Sequence, residues 1–255
     1  MGAILSIART TFRESIRNRT VLAIFLLAIV FIGSALLLAN LSLDQRVRVI
    51  KDWGLFCVSA FGVALAILIG VTMVQKEIEK KTLYIILTRP FSRWQYVVGK
   101  YLGLSFSLLL TVGLLSLSLI ALLAFDGTPP DHLLLKALAA SLLEVMLVAA
   151  LAVFFAAFST PALSGFFTFG MFVVGRSLET LSYLRDKITQ DLPRRLIQGL
   201  ILALPDFADL NLATRAVHEI DITSQEMGFM VAYSIGYLGL LLFLSSWMFS
   251  RRDLV

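Results

Sequence analysis

Two histidines, His132 and His218, and one cysteine, Cys57, are the residues of this chain best suited to metal or nucleophile chemistry. They are too few. A Cys/His cage needs three or four ligands and an internal disulfide needs a second thiol, so neither is available. No GxxxxGK(S/T) phosphate loop and no GxGxxG fingerprint occurs in the 255 residues, so any nucleotide that drives this protein must be bound by a partner. The remaining chemistry is that of charge placed where charge is expensive.

Glu144 lies inside a long apolar run, about a third of the way in from one end. A carboxylate at such a position costs of the order of 2.5–3.5 kcal/mol on insertion scales, so it should face protein or water. Arg176 is one candidate partner, and Lys136, two turns away on the same helix, is a weaker one. The residues allow a structural ion pair, a substrate or gating role, or a protonated side chain.

A second constellation fills residues 76–103, which read KEIEKKTLYIILTRPFSRWQYVVGKYLG. Glu77, Glu79, Lys80 and Lys81 carry a helix out of the preceding apolar run. Residues 82–88 then form a short apolar turn that Pro90 must end. Ser92 and Gln95 make an S-x-x-Q capping box for the next helix, Phe91 and Tyr96 are placed to staple it, and Trp94 and Tyr101 suit a membrane interface. The result is a hairpin with a projecting apolar knob.

Leu83, Ile85, Ile86 and Leu87 in so short a loop cannot all be buried against their own chain. Full burial of each is worth about 1.5–3 kcal/mol. Four therefore give about 6–12 kcal/mol, comparable with the roughly 4–15 kcal/mol that association costs in lost freedom. Docking by the knob alone is marginal, and flanking charges, the N-terminal helix or a second copy must help it. The alternative is that the turn dips back and touches lipid only.

The elements that must position these residues follow from composition. Apolar residues make up 58% of the chain and charged ones 15%, where about 25% charged is ordinary for a soluble domain. A chain this apolar cannot hide its surface in one aqueous core, so its solvent is lipid. A helix crosses the roughly 30 Å hydrocarbon layer with about 20 residues. Six segments qualify, near 21–41, 53–74, 101–125, 133–158, 161–181 and 227–249, and together they take up more than half the chain. The fifth is interrupted by Arg176 and Glu179. The first has 21 residues, longer than the 7–15 of a secretory signal core, which argues against cleavage. The expected fold is all-α and integral to the membrane, a single domain over 1–255.

Residues 1–19 read as a basic amphipathic helix. Ile4, Leu5, Ala8, Phe12 and Ile16 fall on one arc, while Ser6, Arg9, Thr10, Arg13, Glu14 and Arg17 fall on the other. Such a helix lies in the interface with its arginines near lipid phosphates, as an anchor or as a lever that contacts a partner. Lys and Arg divide twelve to ten in favour of the N-terminal side, which orients both termini to the cytoplasm. The net charge of +5 sits beside apolar runs, as membrane-flanking clusters do, and does not point to nucleic acid.

The outer segment 182–226 holds an apolar stretch at 196–204 that is too short to span, preceded by Pro193 at a helix start. It reads as a helix on or dipping into the outer leaflet, ended by Pro205-Asp206, with another short piece from Asn211. The segment is a lid over the bundle or a contact for an extracytoplasmic partner. Arg185, Lys187, Arg194 and Arg195 could hold lipid phosphates. Gly99 and Gly103 form a GxxxG that favours close packing inside the bundle over a seam between copies.

The 76–103 stretch resembles the coupling loop of bacterial permeases of the ATP-binding-cassette type-2 exporter family. The motif elements occur here in order as Glu77 and Glu79, Thr82-Leu83, Ile85, Ile86 and Leu87, Thr88-Arg89-Pro90, Ser92-Arg93, and Tyr96-Val97-Val98-Gly99-Lys100-Tyr101-Leu102-Gly103. The N-terminal ARTTFRESIRNR is similar to that family's elbow helix and the closing FSRRDLV to its tail. The resemblance implies a multi-pass protein of the bacterial inner membrane with no catalytic residue and no cofactor of its own. It implies that two chains pair, as a homodimer or a related heterodimer, each with a cytoplasmic ATP-binding subunit that holds ATP and Mg and grips the loop at 75–93. Glu77, Glu79, Thr82, Leu83, Ile86, Leu87 and Arg89 would form that contact, Arg9, Arg13 and Arg17 would lie on the lever, and Glu144 with Arg176 would act within the bundle. Two other classes compete with a permease driven in trans. One is a subunit that uses ATPase motion to act on a periplasmic partner without moving a solute. The other is a secondary transporter or channel, which should show paired broken helices and more ionisable groups in its spans.

Overall fold

The computed structural model describes residues 2–42, 45–79, 93–187 and 190–251, and every regular element among the described residues is a helix. α1 covers Gly2–Ile16, α2 Arg19–Gly33, α3 Ala35–Leu41, α4 Arg46–Glu79, α5 Arg93–Phe125, α6 His132–Ala156, α7 Pro161–Arg176, α8 Leu178–Lys187, α9 Asp191–Ala203, α10 Ala213–Val217 and α11 Ser224–Arg251.

The breaks between helices have local causes. Asn18 caps α2 by accepting from the Thr20 N–H at 3.0 Å. α2 and α3 share one stretch long and apolar enough to cross a membrane, interrupted at Ser34, whose hydroxyl donates to the Phe31 carbonyl at 2.6 Å. The Trp53 indole of α4 donates to that same carbonyl at 3.0 Å. Two side-chain donors thus compete for one rung of the ladder, and the helix is interrupted there. α5 ends at a turn in which Gly127 has φ +82, a conformation an L side chain rarely adopts. Asp131 then caps α6 through the Leu134 N–H at 3.1 Å, and Pro161 opens α7 at a first-turn position.

α4 and α6 form the centre of the bundle. α4 touches α2, α3, α5, α6, α7 and α10, and α6 touches α4, α5, α7, α10 and α11. α6 is buried along most of its length, and much of its surface is small, including Ala140, Ala149, Ala150 and Ala152. Lipid tails are as apolar as leucine, so close approach of small side chains and van der Waals contact supply the association here. The outward faces are apolar in turn. Leu26, Val30, Phe166, Phe229, Ile235 and Phe243 are exposed from the protein, as expected of side chains that meet lipid.

Among the described residues, five helical stretches are long and apolar enough to cross a membrane: Arg19–Leu41, Arg46–Met73, Trp94–Phe125, His132–Ala156 and Ser224–Met248. The expected segment at 161–181 differs. α7 stops at Arg176, and the chain restarts as α8 after Ser177, whose hydroxyl donates to the Val173 carbonyl at 2.9 Å. Sixteen residues extend about 24 Å, short of the roughly 30 Å core.

α1 also differs from its expected pattern in detail. The helix is present, but its buried stripe is Ala8, Thr11 and Ser15, while Leu5 and Ile16 remain exposed. Small side chains rather than large ones let α1 lie close along α5.

Candidate functional site

Three helices meet at Glu144. The residue lies near the middle of α6, about 18 Å from that helix's start, and its side chain is 1% exposed. Arg176, the last residue of α7, places Nη1 2.5 Å from Glu144 Oε1. Ser59 of α4 donates to the other carboxylate oxygen at 2.7 Å and accepts from Arg176 Nη1 at 3.0 Å. Both carboxylate oxygens are therefore satisfied and the charge is matched, which a buried ion requires. Lys136, the weaker candidate partner, is engaged elsewhere and donates to the Ile222 carbonyl at 2.5 Å.

The cluster explains where α7 ends. The Arg176 guanidinium lies over the Phe172 ring at 5.7 Å, and Phe172 meets Phe207 edge-on at 5.4 Å between centroids. Phe207 is wholly buried. A Cβ on Gly175 would stand 2.5 Å from the Pro205 carbonyl oxygen, so only glycine lets the 203–209 turn settle against the end of α7. Because Phe207 packs one helical turn inward of Arg176, this turn enters the bundle. Phe207, Leu210, Leu212, Ala216 and Ile222 join the common core, so protein covers the irregular backbone, the condition under which it is tolerated at such depth.

α11 holds the same turn from the other flank. Tyr233 accepts the Asp206 N–H at 2.9 Å, and Tyr237, one turn on, donates to the Ala203 carbonyl at 3.0 Å. Asp206 closes the turn by accepting from the N–H groups of Ala208 and Asp209 at 3.0 and 3.1 Å. Burial, with Asp206 and Glu179 nearby, pushes the Asp209 carboxyl above its ordinary value.

A rim of ion pairs fastens the α5–α6 connection to the start of α4. Arg46 bonds Asp126 at 2.7 Å and Asn40 at 2.8 Å, and Lys51 bonds Asp131 at 2.7 Å. Burial raises the Asp131 carboxyl, but the Lys51 ammonium and the Leu134 N–H outweigh it and hold the group below the usual carboxylate range.

At the opposite end of the bundle, α1 lies along the foot of α5. A Cβ on Gly103 would stand 2.5 Å from the Ala8 carbonyl oxygen, and one on Gly99 would stand 3.1 Å from that of Ile4. The GxxxG pair seats a helix of its own chain. Arg9, Arg13 and Arg17 point away from this contact and are exposed. Glu77 and Glu79 belong to the last turns of α4. Thr82, Leu83, Ile86, Leu87 and Arg89 lie outside the described residues.

Sequence reasoning brings Glu144 to Arg176 but misses Ser59, Phe172, Phe207, Tyr233 and Tyr237. A serine within the apolar run of α4 is a visible signal for Ser59. The contact between Phe172 and Phe207 depends on how the outer segment folds back, and no spacing records it.

The model of a family described as ABC-2 family transporter protein matches residues 5–254. The search of curated proteins finds no match. The match covers nearly the whole chain, so this protein belongs to the ABC-2 transporter family. It is a multi-pass membrane component of a transporter of that family, whose ATPase activity lies in separate subunits.

Proposed function

We propose that the chain is the permease subunit of an ATP-binding-cassette transporter in the bacterial inner membrane, working as one of a pair. A separate cytoplasmic subunit binds ATP and Mg and grips the loop at 75–93, and its closure moves the spans. Thr82, Leu83, Ile86, Leu87 and Arg89 form the contact together with Glu77 and Glu79. α7 serves as a short sixth crossing completed by the outer segment, which returns the C-terminus to the cytoplasmic side with the N-terminus.

Family membership over residues 5–254 is the observation that carries this reading. Two features of the fold support it. α4 runs on through Gln75, Lys76, Glu77 and Glu79, and α5 begins at Arg93, so the helices on both sides lead to residues 80–92. α1 is seated on Gly99 and Gly103 at the root of the same loop. Force applied to the loop thus reaches α1, α4 and α5 together.

A Leu83→Asp variant, reconstituted with its ATPase subunit, tests the proposal. Loss of ATPase binding and of stimulated hydrolysis, with membrane insertion intact, is the expected result. Unchanged binding and unchanged hydrolysis would remove the loop from the coupling role.

A further inference from the structure

The first turns of α2 and the last apolar turns of α4 leave a groove between them. Asn18, Thr20, Val21 and Ile24 form one wall, and Leu68, Ile69 and Thr72 form the other. The helices run antiparallel, since Trp53 near the start of α4 reaches Phe31 near the end of α2, so both walls are graded in the same direction. Thr20 and Thr72 lie near the ends of the two apolar stretches, and Ile24 and Leu68 lie four residues, about 6 Å, deeper. Val21 and Ile69 are buried and floor the groove, whereas Thr20 and Leu68 are exposed and leave it open on the outside of the bundle. Asn18 accepts from the Thr20 N–H through Oδ1 and keeps its amide N–H groups for donation. Arg17 and Arg19, both exposed, flank Asn18 in the chain, and no carboxylate is among the described residues that line the groove.

We propose that this groove is a binding site for one anionic phospholipid of the leaflet at the α1 end, its phosphate held by Arg17, Arg19, the Asn18 amide and Thr20, and the upper part of one acyl chain seated between Ile24 and Leu68. Three features select this occupant. The walls pass from polar at the mouth to apolar at depth, as a phospholipid passes from headgroup to chain. The space is about 150 Å³, well below the roughly 300–1,000 Å³ of a site that encloses a whole small molecule, and too narrow for a partner helix about 10 Å across, whereas a single hydrocarbon chain fits lengthwise. Two guanidiniums with no facing carboxylate favour a headgroup of net negative charge over a zwitterionic one. Such a lipid bridges the junction of α1 with α2 to the last apolar turn of α4. The inference rests on the membrane character of the chain and not on ATPase coupling, so the outcome of the Leu83→Asp test does not bear on it.

Native mass spectrometry of the full chain, stripped of lipid in detergent and titrated with phosphatidylglycerol or phosphatidylcholine, tests it. The wild type should retain one phosphatidylglycerol per chain, several-fold more tightly than phosphatidylcholine. Leu68→Trp, which fills the groove from its exposed wall, should weaken retention of phosphatidylglycerol several-fold, and Arg17→Gln/Arg19→Gln should abolish the preference for it. Leu26→Trp, at an exposed residue about 200° round α2 from Ile24, should leave both unchanged. Equal retention by Leu68→Trp and the wild type overturns the inference, as does equal retention of the two lipids by the wild type. Cross-linking of Thr20→Cys between two copies in a Cys57→Ala background also overturns it, by placing a second chain in the groove. Wild-type elution and thermal unfolding of the tryptophan and glutamine variants show that the loss comes from the site and not from misfolded material.

Discussion

Arg176 Nη1 stands 2.5 Å from Glu144 Oε1, and this contact ties the last residue of α7 to the middle of α6. With Ser59 bonded to both, a single guanidinium fastens α7 to the two central helices of the bundle.

Breaking such a pair from one side strands a charge, whereas removing both ends does not. Arg176→Ala is expected to lower stability by about 3–5 kcal/mol, and Glu144→Gln/Arg176→Ala to recover at least half of the loss. Thermal unfolding of the purified variants in one detergent gives the comparison. A double variant as unstable as the single one would show that the ion pair contributes little.

The seat of α1 makes a sharper steric claim. Gly103→Ala forces a Cβ against the Ala8 carbonyl oxygen and should cost about 1–3 kcal/mol. Gly113→Ala, where a Cβ meets nothing within 4 Å, should not. Protease cleavage within residues 2–16 should rise in the first variant alone.

The rim predicts an acid limit. The folded pKa of Asp131 lies below its unfolded value near 3.9. Its contribution is therefore present above about pH 4 and is lost as pH falls through the folded pKa. Asp131→Asn should lower Tm at pH 7 and approach the wild-type value at the lowest pH that keeps the protein soluble.

Asp209 has the opposite sign. Its folded pKa is raised, so stability is fully present below the unfolded value and is lost as pH rises through the folded one. Asp209→Asn should raise Tm at pH 7 and bring no gain at pH 3. A loss at pH 7 would mean that Asp209 makes a favourable contact that its charged neighbours do not reveal.

How far the residues themselves announce this architecture varies with the kind of interaction. The long crossings are legible because twenty apolar residues have one use in a chain this poor in charge. Glu144 is legible for the converse reason, since a carboxylate in an apolar run must find a cation and few are within reach. The buried stripe of α1 is not legible from hydrophobicity. Thr11 and Ser15 are polar by type and are buried nonetheless, Thr11 directly against Gly103. The truncation of α7 is half legible. Arg176 and Glu179 mark an interruption, but the stop itself comes from the Pro205 carbonyl against Gly175 and from Phe207 on Phe172, contacts between residues some thirty positions apart. Pro193 at a helix start, the apolar run at 196–204 and the stop at Pro205-Asp206 place α9 close to its observed bounds, since those signals are local.

The shortness of α7 has a mechanical consequence for the bilayer itself. In the proposed six-crossing topology an apolar length of about 24 Å leaves a shortfall of roughly 6 Å, which the 203–209 turn fills on the protein side of α7 and the leaflet meets by thinning on its lipid side. At fractions of a kcal/mol per ångström this deformation stores on the order of a few kcal/mol along one flank of the molecule. Any stroke that raises or lowers α7 stretches or relaxes that strained annulus. In a permease driven as proposed, the surrounding lipid would act as a spring, and the thickness of the host membrane would be a variable that tunes it.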